Sequence, residues 1–361
     1  MFKTNENPSS LPNTELPLEA FKPRSQLNTP STSISTPRFP VIDAHNHLGE
    51  TFGADWCHRP VSELLQVLDE AGVSTLVDLD GGWGEAILEQ RLAKYKSAAP
   101  QRFCFFGGVD FSAWSEQGER FPEWAIARLK SQANKGAQGI KIWKGLGLQV
   151  RDHKDQLVAV DDFRLDPIWQ TAAELSLPVL IHVADPVAFF EPLDHTNERW
   201  EELHNHPEWH FPSPKYPSFL TILHQLFNLV KRNPSTQFIG AHVGCYAENL
   251  AWVANMLDEC PNFYIDIAAR IAEIGRQPYT AREFFIHYQD RILFGTDFAP
   301  DIDRYRLFYR FLETADEYFN YDLEDPPTQG RWRIYGLNLP GEVLQKVYFL
   351  NAVKVLNLHD L

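Results

Sequence analysis

Short apolar runs alternate with amphipathic stretches eight times between Phe39 and Asp316, and this alternation constrains the fold more than any other feature of the chain. The runs are FPVIDAH (39–45), VSTLVDL (73–79), FCFFGGVD (103–110), QGIKIW (138–143), PVLIHV (178–183), QFIGAHV (237–243), NFYIDIA (262–268) and RILFGTD (291–297). None has a polar face, as expected for strands of a parallel sheet covered on both sides. The stretches between them carry helical spacing. Val61, Leu64, Leu65 and Leu68 fall at i, i+3, i+4 and i+7, which marks a helix buried along one side. Helices are expected at 84–97, 124–133, 166–176, 219–232, 247–258, 281–288 and 302–317, with a last one at 342–357. Eight strand–helix units predict an α/β chain folded as a (β/α)8 TIM barrel. The competing architecture, a doubly wound open sheet, is weakened because no G-x-G-x-x-G follows the first strand.

Three segments fall outside a minimal barrel. Residues 1–39, rich in Ser, Thr, Pro and Asn, read as an extended N-terminal arm ahead of a barrel domain at 40–361. Residues 185–217 exceed a normal strand-to-helix connection and predict a lid inserted after strand 5. Residues 319–341 form a second aromatic and Pro-rich excursion, which with the arm at 10–39 could support a homodimer interface.

Several functions are excluded by composition. The formal charge of −15 argues against a nucleic-acid partner. No apolar stretch approaches membrane-span length. Four cysteines, at 57, 104, 245 and 260, include no C-x-x-C pair, so they read as buried thiols in a reducing compartment. With no apolar signal segment at the N-terminus, the expected location is cytoplasmic.

In a barrel of this kind the C-terminal ends of the strands build the active site. Strand 1 ends in His45-Asn46-His47, strand 5 at His182, strand 6 at His242 and strand 8 at Asp297. Side chains two apart on an extended chain face the same way, so both imidazoles of the first pair can reach one ion. The intervals of 137, 60 and 55 residues between these positions suit repeats of about 30 residues once 185–217 is allowed for. A lone histidine beside an apolar run is ordinarily a hydrogen-bonded core residue. Four such polar groups at four strand ends are expensive to bury unless paired or bound to metal. A second H-x-H, His204-Asn205-His206, follows Glu-Glu-Leu rather than an apolar strand and reads as solvated loop.

VIDAHNHLGE, VLIHVADP, FIGAHVG and ILFGTDFAP together resemble the amidohydrolase superfamily over about 40–357. The similarity is to its amidohydrolase-2 branch, the aminocarboxymuconate-semialdehyde decarboxylase-like metal-dependent hydrolases. The resemblance implies one divalent metal held by His45, His47, His182 and Asp297, with His242 as the acid/base residue. That donor set suits zinc, with manganese next. A second metal bridged by a carboxylated Lys141 or Lys144 occurs in binuclear members, but this branch is typically mononuclear. Lys141, Lys144, Arg270 and Trp143 are expected at the substrate. Lys141 would offer a cation, and Arg270 either a clamp on a substrate carboxylate or a salt bridge to Asp266 or Glu273. Trp143, Phe189, Phe190 and Trp209 could wall an apolar substrate.

The function implied is hydrolysis of a small carboxylated substrate (a lactone, an amide or an activated C–C bond) by a metal-bound hydroxide. Asp297 would take the proton and His242 would polarise the carbonyl or protonate the leaving group. The alternative is non-oxidative decarboxylation of an aromatic or muconate-type acid at the same site. Some decarboxylases of this branch carry Glu where His45 stands, which favours hydrolysis here. A barrel that binds a metal without catalysis would have lost a catalytic group, and none is missing.

Overall fold

The computed structural model describes residues 23–50 and 53–358. Its eight strands are β1 (Val41–Asn46), β2 (Val73–Asp78), β3 (Phe103–Gly108), β4 (Gly139–Ile142), β5 (Val179–Ile181), β6 (Phe238–Gly240), β7 (Phe263–Asp266) and β8 (Ile292–Leu293). They pair in sequence order, every neighbouring pair parallel. Closure comes from main-chain bonds between β1 and the residues just past β8. Ala44 N donates to Phe294 O (2.9 Å) and Asp297 N to His45 O (2.9 Å). The second of these bonds sets a predicted carboxylate beside a predicted histidine.

Nearly every strand residue is buried, because each strand has packed side chains on both sides. Ile42, Ala44, Val77, Cys104, Phe106, Leu180, Ile239 and Leu293 fill the barrel, and Ala352 and Val355 of the last helix plug its lower end. A larger apolar layer lies between the strands and the outer helices. The helix Phe219–Arg232 is representative: Phe219, Ile222, Leu223, Leu226, Leu229 and Val230 are buried on one side, and Ser218 caps its start by accepting from Thr221 N (3.3 Å).

The predicted helices are present with shifted ends. The stretch 84–97 is the helix Glu85–Arg91 widened into a π-helical turn, Leu92–Lys96. The last helix is likewise interrupted by a π-helical turn at Lys346–Leu350. The helix Ile302–Glu313 stops short of residue 317, since Thr314 is extended.

Of the predicted arm, residues 1–22 lie outside the described residues. The segment 23–40 has no helix or strand and packs beside the helix Ile302–Glu313. Thr32 binds Asp316 through its main-chain N (2.6 Å) and hydroxyl (2.7 Å), and Arg38 N donates to Glu313 (3.0 Å). Residues 185–217 hold a short helix, Trp200–Asn205, and bury Phe189, Phe190, Leu203 and Phe211. His204 and His206 are exposed, stacked on Trp200 and Trp209, with His204 on that short helix rather than in a loop. The segment is tied to the C-terminal excursion by Arg331, which donates twice to Glu201 (2.8 and 2.6 Å). Three of the cysteines are buried and all four are free thiols. Among the described residues, no helix is long and apolar enough to cross a membrane.

Candidate metal centre

The first histidine pair is aimed by an irregularity in β1. Ala44 packs in the inner apolar cluster, and strict alternation would turn His45 outward. The β1–β2 register shifts between Asp43 and Asn46, and His45 faces the axis as well. Asp43 stays outside, accepting from Thr296 Oγ1 (2.7 Å) and Tyr305 (2.8 Å), which anchors the shifted segment.

Each of three imidazoles is oriented by a partner at Nδ1. His45 Nδ1 lies 2.8 Å from Asp266 Oδ2, His47 Nδ1 2.9 Å from Asp80 Oδ1, and His242 Nδ1 2.8 Å from Ala268 O. These acceptors put the proton on Nδ1 and leave the Nε2 lone pair facing inward, the arrangement that metal-ligating histidines adopt. All three Nε2 atoms converge on Asp297: His47 at 3.3 Å and His45 at 3.6 Å from Oδ1, His242 at 3.7 Å from Oδ2. Asp297 Oδ1 is itself buried and, among the described residues, has no hydrogen-bond partner. Lone pairs gathered around a carboxylate oxygen repel unless a cation lies among them, and the single Lys141 ammonium, 3.1 Å from His45 Nε2, reaches one of the three imidazoles. The donor set of imidazole nitrogen and one carboxylate therefore fits a divalent transition metal.

His182 occupies the neighbouring position. Its ring lies 4.4 Å from that of His242, and its Nε2 lies 2.5 Å from Asp185 Oδ1. Among the described residues, two groups of possible ligands result: His45, His242 and Asp297, and His182, Asp185 and His242. Within each, the donor atoms lie within 4.8 Å of one another. His242 belongs to both. Its loop is unusual, for His242, Val243, Gly244 and Cys245 all have left-handed φ, at 56°, 59°, 64° and 62°. Three non-glycine residues in that region cost about 1–2 kcal/mol each. The turn is held by Cys245 N to Ala241 O (2.7 Å) and by His242 N to Asp266 Oδ1 (2.8 Å).

Burial dominates the electrostatics. It holds His45 and His242 well below the usual histidine value, and His182 at about 4. These rings are neutral at pH 7 without a cation. The same desolvation raises Asp297 above the usual carboxylate range and Asp266 to about 7. Lys141 is pulled down to about 8; its Nζ lies 3.1 Å from His45 Nε2, inside the cluster.

Lys144 stands apart from the ligands, with the Phe189 and Phe211 rings 5.2 Å from its ammonium. Trp143 lies 5.4 Å from the His47 ring and stacks on Trp83 at 3.7 Å. Phe189 stacks on Trp209 (6.0 Å), whereas Phe190 packs on Phe211 and Phe219 in the core. Arg270 pairs with neither Asp266 nor Glu273 as its salt-bridge carboxylate. Asp185 takes that place, accepting from Nε (2.8 Å) and from Nη2, while Nη1 donates to Ala269 O (2.7 Å). Arg199 is the residue paired with Glu273.

Sequence reasoning missed Asp80, Asp185 and Trp83; the neighbouring acid it foresaw for Arg270, with Asp266 and Glu273 as examples, is Asp185. Asp80 and Asp266 are carboxylates at the ends of apolar strands, the same signal that exposed Asp297. Asp185 follows His182 by three residues in HVADP.

The sequence matches the amidohydrolase family model over residues 42–358. The chain belongs to the amidohydrolase family. No curated protein matches its sequence. Among solved structures of similar fold is the 2,6-dihydroxybenzoate decarboxylase from Rhizobium, at 16% identity and a TM-score of 0.54, covering 89% of this chain and 99% of that one. A dihydroxybenzoic acid decarboxylase from Polaromonas sp. JS666, with bound manganese and the inhibitor 2-nitroresorcinol, aligns at 17% identity and 0.54, covering 89% and 97%. An uncharacterized TIM-barrel protein from Bordetella bronchiseptica aligns at 13% identity and 0.56, covering 89% and 99%. At such identities the likeness is one of fold. A member of this family is an enzyme, and its histidine and aspartate groups could hold a divalent metal.

Proposed function

We propose that this amidohydrolase hydrolyses a small carboxylated substrate, a lactone, an amide or an activated C–C bond. The observation that carries the reading is the convergence of His45, His47 and His242 on Asp297 at the open end of the barrel. His45, His47, His182 and Asp297 would hold one cation, zinc by the donor set and manganese as runner-up, with His182 joining only if its Nε2 leaves Asp185 Oδ1, 2.5 Å away. A bound divalent cation supplies a Lewis acid that polarises a carbonyl and acidifies water. Asp297 takes the proton of the attacking water, its affinity for that proton raised by burial. His242 Nε2, 3.7 Å from Asp297 Oδ2, relays the proton to the leaving group. Of the three cations expected at the substrate, Lys141 lies among the metal-site residues and Arg270 is paired with Asp185, which leaves Lys144 to face a substrate carboxylate, with Trp143 as an apolar wall.

Decarboxylation of an aromatic or muconate-type acid is the second reading, favoured by the dihydroxybenzoate decarboxylases among the structures of like fold. The same pair would then deliver a proton to the substrate carbon as carbon dioxide leaves. Against it stands His45, a neutral ligand that leaves the cation more of its charge than a glutamate would, and so a stronger polariser. Metal-loaded protein incubated with lactones, amides and aromatic acids distinguishes the two. Acid release without gas supports hydrolysis, and carbon dioxide evolution supports decarboxylation. Asp297→Asn is expected to lower turnover by about 10²–10⁴-fold; full activity at full metal occupancy would remove Asp297 from the mechanism.

A further inference from the structure

Three cations were expected at the substrate, and their surroundings in the fold differ. Lys141 is buried among the ligands, with its Nζ 3.1 Å from His45 Nε2 and Asp297 the largest charge acting on it. Its charge is committed to the cluster. Arg270 spends two of its nitrogens on Asp185 and a third on Ala269 O. A buried carboxylate already balances it.

Lys144 has no such partner. Among the described residues, no hydrogen bond and no carboxylate within 4.0 Å meets its ammonium. It stands just past the end of β4, next to Trp143, whose ring lies 5.4 Å from that of His47; Asp185 and Glu202 act on its charge without touching it. The side chain keeps partial exposure, so a solute can reach it. Two phenyl rings flank the ammonium at 5.2 Å, both contributed by residues 185–217. Their spacing is fixed by the main chain, for Phe211 N donates to Phe189 O (2.8 Å). A half-buried ammonium with no carboxylate in contact loses hydration that ring faces compensate only in part. Such a group is a functional-site candidate because a ligand anion can supply the missing partner.

We propose that Lys144 is the anion anchor of this site, taking the carboxylate of a monocarboxylate whose apolar body lies against Phe189 and Phe211. Residues 185–217, which contribute both rings, then set substrate choice. The inference rests on the reading of the barrel mouth as the active site.

Calorimetric titration of the full-length, metal-loaded protein tests it with benzoate, its neutral analogue benzamide, and acetate. Wild-type protein is expected to bind benzoate at least about 10-fold more tightly than benzamide, as for an ammonium–carboxylate contact. Lys144→Gln should abolish that preference while leaving benzamide binding and metal stoichiometry unchanged. Lys144→Met, which keeps the packing of the stem, carries the same expectation should Gln perturb the fold. Phe211→Leu should weaken benzoate and leave acetate unaffected. Undiminished benzoate preference in both Lys144 variants, or no preference in the wild type, overturns the proposal. Failure of the wild type to bind a divalent metal sinks instead the reading of the mouth as a metal site.

Discussion

Replacing Asp266 with asparagine exchanges one oxygen for an amide nitrogen at the point where two of the histidines are held. Oδ1 accepts from His242 N (2.8 Å) and Ala268 N (3.1 Å), and Oδ2 faces His45 Nδ1 at 2.8 Å. Asparagine can keep its carbonyl oxygen on the two main-chain amides, so the turn carrying His242 is retained. Its NH2 then occupies the Oδ2 position and can only donate. His45 must accept at Nδ1, which moves its proton to Nε2, the atom 3.6 Å from Asp297 Oδ1. A protonated nitrogen is no ligand. Restoring the productive tautomer forgoes a hydrogen bond to a charged group, worth about 1.5–3 kcal/mol. The corresponding loss of metal affinity is about 10–100-fold, as for other outer-shell partners of ligating histidines. Competition with a chromophoric chelator, for zinc and for manganese, measures it directly. Asp266→Asn is expected to raise both dissociation constants by that factor while circular dichroism stays unchanged. A change smaller than about twofold would mean that His45 does not ligate through Nε2, and the reasoning from Nδ1 partners would fall.

Two further outcomes are expected. Ser176 is exposed with a φ of 55° just past the helix Asp166–Glu174, where Leu177 N returns to Ala172 O (2.8 Å); Ser176→Gly should add about 1 kcal/mol and about 2 °C to the melting temperature, and a lower melting temperature would refute the strain argument. Burial raises Glu248 to about 7 from its usual 4.5, with Glu273 adding to the effect. Its neutral form therefore favours the folded state; that contribution is complete below pH 4.5 and is lost as pH rises through about 7. Because the residue is part-exposed, Glu248→Gln should stabilise by about 1–2 kcal/mol at pH 8 and little at pH 4.5. Equal urea midpoints for the two proteins at pH 8 would contradict this.

Much of the architecture was legible because a parallel barrel strand is buried on both sides and so must be apolar along its length. Polar residues at the ends of such runs stand out, which is how His45, His47, His182, His242 and Asp297 were found. Helix ends were less legible: π-helical turns at Leu92–Lys96 and Lys346–Leu350 leave no mark on apolar spacing. Alternation also gave an incomplete account of β1, where Ala44 and His45 both face the axis because the register shifts.

What eluded the sequence was pairing. His45 meets Asp266 across 221 residues and Arg270 meets Asp185 across 85, and no local pattern says which carboxylate will arrive beside which cation. The amino-acid order alone determined eight strands, their closure into a barrel and the chemical types gathered at its mouth, since burial and periodicity are properties of each segment. Only the tertiary structure decided which nitrogen of each imidazole turns inward and which of the cations meet a carboxylate, because both depend on partners brought together by the closing of the sheet.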